Sequence, residues 1–72
     1  MDTRKLVEIR KTLGVTQEGM AGLLQCATIS YKRYELGTRD IPAYIARAVQ
    51  LLEFLHKHDL LKKFEIFLKK DL

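Results

Sequence analysis

The sequence predicts an all-α fold of five helices in a single domain. Its apolar residues recur at spacings of three and four, the period of an amphipathic helix. Four glycines and one proline separate those stretches. We find neither an alternating β-branched run nor a hairpin signal, so strands are not expected. A chain of 72 residues has a thin core. Its single cysteine, Cys26, excludes an internal disulfide, which makes a self-associating surface the expected support.

The composition indicates a folded, mildly basic protein. Thirteen Lys and Arg against nine Asp and Glu give a net charge of +4, and 47% of residues are apolar, which argues against disorder. The longest uncharged stretch, Gly19–Tyr31, is too short and too polar to span a bilayer. No apolar block follows the first residues, so no signal peptide is expected. We therefore expect a cytoplasmic protein with no membrane partner and no deep enzymatic pocket.

The first two helices have clear start and stop signals. Asp2 or Thr3 is suited to cap the first, and Gly14 to end it. Thr16 is suited to cap the second. The expected helical stripes are Leu6, Ile9, Arg10 and Leu13 in the first helix, and Met20, Ala21, Leu23 and Leu24 in the second.

A break at residues 25–27 leads to a third helix from about Thr28 to Leu36, which Gly37 ends. Tyr31 and Tyr34 lie three residues apart, so they share one face. We expect this face to be the inner one.

Pro42 is suited to the first position of a fourth helix that ends near His56. Asp59 is suited to cap a fifth. We divide the chain into residues 1–56 and a C-terminal amphipathic helix within 57–72 that belongs to the same domain. The expected apolar stripes are Ile45, Val49, Leu52 and Leu55 in the fourth helix, and Leu60, Leu61, Phe64, Phe67, Leu68 and Leu72 in the fifth. Four lysines, Lys62, Lys63, Lys69 and Lys70, occupy the other face of the fifth helix.

Two short helices, a short break and a tightly ended helix follow the helix-turn-helix plan. The residues that match are Thr16-Gln17 at the second helix start, Ala21 at the crossing, Leu24 before the turn, Tyr34-Glu35-Leu36-Gly37, and Ile41-Pro42. On these residues the chain resembles the lambda-repressor/Cro-like, or XRE, helix-turn-helix family from roughly Leu6 to Leu55. It departs from the family at Gln25, where glycine is frequent, and at Ala27, where Ser or Thr commonly caps the third helix. Thr28 is the alternative cap, so the start of this helix stays open.

The resemblance implies double-stranded DNA as a partner, with the third helix in the major groove. With the tyrosines inside, the outward and base-reading residues would be Thr28, Ile29, Lys32 and Arg33. Phosphate contacts would come from Gln17, Thr38 and Arg39. Arg10 and Glu35 match positions that form a partly buried ion pair in some members. The alternatives are ordinary surface roles for the polar residues and a core position for Ile29.

The expected function is a sequence-specific transcriptional regulator. We expect a dimeric repressor that binds an inverted repeat, such as an autorepressor of a small phage or mobile-element operon. The expected homodimer interface consists of Leu52, Leu55, Leu61, Phe64, Phe67 and Leu68. For the fifth helix, packing onto its own domain and lying on a membrane surface are alternatives. The rival function is an antitoxin-like module whose C-terminal helix binds a protein, and RNA binding is a weaker rival.

We expect neither an enzyme nor a cofactor, because no activated nucleophile or acid–base pair is recognisable. Cys26 is expected to be an inert thiol within the turn. His56 and His58 lack a third metal ligand in the pattern, so a metal site is not expected.

Overall fold

The computed structural model describes residues 1–70, which form five helices and contain no strand. The predicted all-α class and helix count are confirmed for this part of the chain. None of its helices has the length and apolarity needed to cross a membrane. Residues 71–72, including the predicted apolar Leu72, lie outside the described part. The helices are α1 (Thr3–Leu13), α2 (Gln17–Leu24), α3 (Thr28–Leu36), α4 (Ala43–Lys57) and α5 (Leu61–Lys70).

The first two helices begin at residues whose side chains cap them, and the third does not. The Asp2 carboxylate accepts a hydrogen bond from the Lys5 amide at 2.8 Å, and the Thr16 hydroxyl accepts one from the Gly19 amide at 3.0 Å. Both predicted caps are confirmed. Ala27 precedes α3 and provides no side-chain cap. Thr28 is the first residue of α3 and not its cap, which decides the start that the sequence left open.

The first four helices end in one recurring turn. A residue with positive φ follows each helix, and the next amide donates to a carbonyl five residues earlier, the pattern of a Schellman motif. At α4 this residue is Asp59, with φ 57°, and Leu60 donates to Leu55 at 2.8 Å. The prediction that Asp59 caps α5 is wrong, because Asp59 belongs to the turn that ends α4. The other three residues are Gly14, Gln25 and Gly37.

The core lies among α1, α2, α3 and α4. Helix α3 packs on both α1 and α2, and α4 packs on α1 and α2. Tyr31 is fully buried and meets Tyr34 edge to face, with ring centroids 6.4 Å apart. The predicted inner face of α3 is confirmed. The buried apolar residues are Leu6, Ile9, Leu13, Met20, Ala21, Leu24, Tyr31, Tyr34, Ile45, Val49 and Leu52.

Helix α5 packs on α4 and places no fully buried residue in the core. Leu61 and Phe64 are half-buried against the core of the same chain, so only part of their surface is free for the dimer interface in which the sequence places them. Leu52 is wrong as an interface residue, because it is only 3% exposed. Of the other predicted interface residues, Leu55 and Leu68 are half-buried and Phe67 is 55% exposed.

Candidate nucleic-acid interface

The outer face of α3 is the first part of the candidate site. Tyr31 and Tyr34 fill the inner face, so the side chains between them turn towards solvent. Ile29 is 62% exposed, which excludes the alternative that it belongs to the core. Lys32 and Arg33 are also exposed, and Thr28 is half-buried. The structure therefore brings all four predicted base-reading residues onto one helix, with two cations and one large apolar group accessible.

Lys32 connects this face to the first turn of α2. Its Nζ lies 3.7 Å from Glu18 Oε1, and both side chains are at least half exposed. An exposed pair of this kind contributes little to stability. Lys32 is consequently able to exchange this carboxylate for another anion at low cost.

The loop after α3 holds two of the predicted phosphate ligands. Arg39 Nη1 donates to the Ser30 hydroxyl at 3.2 Å, and the guanidinium lies 5.9 Å from the centroid of the Tyr34 ring. The Thr38 hydroxyl donates to the Arg33 carbonyl at 3.5 Å. Arg39 thus folds back along α3, where its positive charge adds to those of Lys32 and Arg33.

Arg10 and Glu35 form a bidentate ion pair between α1 and α3. Arg10 Nε donates to Glu35 Oε2 at 2.6 Å, and Nη2 donates to Oε1 at 3.2 Å. Arg10 Nη1 also donates to the Val15 carbonyl at 3.2 Å. The Arg10 and Glu35 side chains are only 17% and 7% exposed. The pair therefore connects the last turn of α1, the α1–α2 turn and the end of α3.

Gln17 joins this pair, which the sequence did not predict. Its side-chain Nε2 donates to Glu35 Oε1 at 3.0 Å, so the predicted phosphate ligand at the start of α2 is held by the end of α3. The residues lie 18 positions apart, and no local pattern relates them. We refer to Arg10, Gln17, Tyr31 and Glu35 as the Glu35 hub.

Burial and hydrogen bonding act in opposite directions within the Glu35 hub. Burial alone would raise the pKa of Glu35, but Arg10, Tyr31 and Gln17 together hold that pKa below its ordinary value. Burial and the neighbouring Glu35 raise the pKa of Tyr31. The Tyr31 hydroxyl is buried without a well-formed hydrogen bond. Glu35 is thus kept ionised and Tyr31 neutral.

The remaining candidate residues lie at helix ends. Cys26 is half-buried against the core, and burial raises the pKa of its thiol, so the reactive thiolate is disfavoured. The His58 ring stacks on Phe54, with ring centroids 4.3 Å apart. His56 lines an open cleft of about 460 Å³ beside α5. A second cleft of about 330 Å³ shares Val15 and Glu65 with the first.

No protein-family model, curated protein or solved structure matches the chain.

Proposed function

We propose that the chain is a sequence-specific double-stranded DNA-binding protein of the lambda-repressor-like helix-turn-helix class that acts as a dimeric repressor. The observation that carries the proposal is the outer face of α3. It combines exposed cations with an exposed Ile29, beside a turn that connects α3 to α2.

The chemistry of this face suits base edges in a major groove. Arg33 is able to donate two hydrogen bonds to guanine O6 and N7, and Lys32 to a guanine or a phosphate. Ile29 is 62% exposed and offers an apolar contact for a thymine methyl. Such a combination is more informative than charge alone, because phosphate contacts carry no sequence information directly.

Phosphate contacts are the second part of the proposal. The first-turn amides of α2 have no carbonyl partner within the helix, so this end has a partial positive charge that favours an anion. Gln17 lies at this end, and its remaining donor and its carbonyl are not used by the bond to Glu35. Arg39 supplies a full charge after α3. Together these groups would position α3 across one half-site.

The homodimer surface that we propose lies on α4. Leu51 and Phe54 are three residues apart and 54% and 55% exposed, and the half-buried Leu55 is adjacent. This surface replaces the predicted one that included Leu52. Two copies related by a two-fold axis would read half-sites about one DNA turn, ~34 Å, apart.

The test of DNA binding is selection of bound sequences from random duplex DNA at about physiological salt. We expect an enriched inverted repeat, and a loss of at least ~10-fold in affinity for it in Lys32→Ala/Arg33→Ala, because a bidentate contact is worth ~1–3 kcal/mol. The matched control is Lys11→Ala/Lys57→Ala, which removes the same charge from exposed positions on α1 and α4. Equal losses in both variants, or no enriched sequence, would refute base reading by α3.

The test of the dimer is sedimentation equilibrium at about 100 µM protein. We expect Leu51→Ala/Phe54→Ala to sediment as a monomer, because the pair loses its exposed apolar surface. Ile66→Ala/Phe67→Ala removes a similarly exposed pair from α5, 50% and 55% exposed, and is expected to remain dimeric. The reverse result would move the interface to α5.

A further inference from the structure

We infer that the outer face of α5 is a docking surface for an acidic amphipathic helix of another protein. We define this outer face by Lys62, Lys63, Ile66, Phe67, Lys69 and Lys70. All six side chains are exposed. This surface lies on a different helix from the proposed reading face, so it is separate from DNA binding.

The outer face of α5 has a regular arrangement. Lys62, Ile66 and Lys69 follow at spacings of four and three, and Lys63, Phe67 and Lys70 repeat that spacing one residue later. Each set forms a row along the helix, because residues three and four apart are neighbours on a helix surface. Each row spans two turns, about 10 Å. The result is an apolar centre between two pairs of lysines.

The apolar centre is accessible although α5 is packed. Ile66 and Phe67 are 50% and 55% exposed, whereas Leu61 and Phe64 meet the core of the domain on the inner side. Each of the two rows therefore carries one exposed large apolar side chain between two lysines. Phe67 is the type of residue enriched at the centre of protein interfaces.

The lysines select the partner by charge. Among residues 1–70, none of the four forms an ion pair within 4.0 Å. A second copy meeting this face about a two-fold axis would bring eight lysines together, which disfavours a homodimer here. A helix with glutamates flanking an apolar stripe would satisfy both features, as charged positions beside the seam do in coiled coils. Such pairing would raise the association rate and set the orientation of the partner.

A membrane surface fits the same charges less well. Amphipathic helices bind in the interface by burying a continuous apolar face. The inner side chains Leu61 and Phe64 are already packed on the domain. Within residues 61–70, Ile66 and Phe67 are the large apolar side chains that remain exposed for insertion.

The experiment uses the intact 72-residue protein labelled with ¹⁵N. The probe is a synthetic two-heptad peptide with leucine at a and d and glutamate at e and g. We expect peptide titration to shift amide signals of α5 selectively, and Lys62→Glu/Lys69→Glu to weaken binding at least ~10-fold. The control Lys5→Glu/Lys11→Glu makes the same charge change on exposed positions of α1 and is expected to bind within ~2-fold of the parent. A second variant, Ile66→Asn/Phe67→Asn, tests the apolar centre and is expected to lose binding with an unchanged melting temperature.

Three results would overturn the inference: no shift in α5, equal weakening in the two glutamate variants, or undiminished binding in the asparagine variant. A parallel pelleting assay uses vesicles with about 30% phosphatidylserine. The surface would be assigned to a membrane if the parent protein pelleted with the vesicles but did not bind the peptide. In that case Lys62→Glu/Lys69→Glu would no longer pellet and Lys5→Glu/Lys11→Glu still would. This result would also overturn the inference.

Discussion

Removing one partner of the Arg10–Glu35 pair is expected to destabilise the domain more than removing both. The Arg10 side chain is 17% exposed, and its guanidinium donates two of its three hydrogen bonds to the carboxylate, at 2.6 and 3.2 Å. In Glu35→Ala it would keep only the Val15 carbonyl. Stranding a largely buried charge costs about 3–5 kcal/mol. A domain of this size has roughly 4–11 kcal/mol of stability in total, so the single variant would be marginal.

The assay is a double-mutant cycle of Arg10→Ala and Glu35→Ala, followed by urea unfolding at about pH 7. We expect a coupling energy of at least about 3 kcal/mol, because the two single costs together must exceed the cost of the double variant by more than either single cost. With an m value near 1 kcal/mol/M, each single variant would lower the urea midpoint by about 3 M or more. The exposed Lys5–Glu8 pair, with side chains 49% and 64% exposed, is the matched control and is expected to couple by less than ~0.5 kcal/mol. A coupling energy for Arg10 and Glu35 as small as that of the control would refute the reasoning.

Three other expectations follow from the hub and the helix ends. The pKa of Glu35 is lowered in the folded state, so its ionised form stabilises the fold. This contribution to the free energy of unfolding is fully present above the unfolded pKa of about 4.3 and is lost as pH falls through the folded pKa. Urea midpoints measured down to about pH 2 should therefore fall less steeply in Glu35→Gln than in the parent. Gln25 has φ 58°, a conformation that glycine adopts more readily, so Gln25→Gly should stabilise the domain by about 1 kcal/mol. Gly14 has φ 72°, so Gly14→Ala should destabilise the domain for the same reason. Thermal melting would measure the two changes as shifts of about 4–8 °C of opposite sign. Ala27→Ser should add a cap at the start of α3 and raise the melting temperature by a similar amount, and an unchanged midpoint would count against the assigned helix start.

The helices were predictable because their signals are local. Caps at Asp2 and Thr16 and glycines after α1 and α3 act within one turn, so reading them requires no tertiary information. The error at Asp59 has the same origin. An aspartate between two helices suits a helix start and also a left-handed turn, and only the backbone bond from Leu60 to Leu55 distinguishes the two.

The apolar surface was harder to predict than the helices. A stripe such as Ile45, Val49, Leu52 and Leu55 identifies one helix face but not what covers it. The structure covers Leu52 within the domain, while Leu51 and Phe54 remain exposed beside it. Helix α4 therefore has more large apolar side chains than the core of this small domain covers. This excess carries the proposal of a dimer through Leu51 and Phe54.

The Glu35 hub adds directional contacts to the candidate interface that its apolar packing alone does not supply. Apolar contacts are non-directional and allow a helix to slide or rotate slightly, whereas a bidentate carboxylate fixes both distance and angle. Glu35 lies near the end of α3 and Gln17 at the start of α2, and Arg10 holds the same carboxylate from α1. One side chain consequently sets the spacing between the proposed phosphate ligand and the proposed reading face. Glu35→Gln keeps the side-chain shape but loses charge, so if the hub positions these two groups, DNA affinity should fall in this variant even under conditions where it remains fully folded.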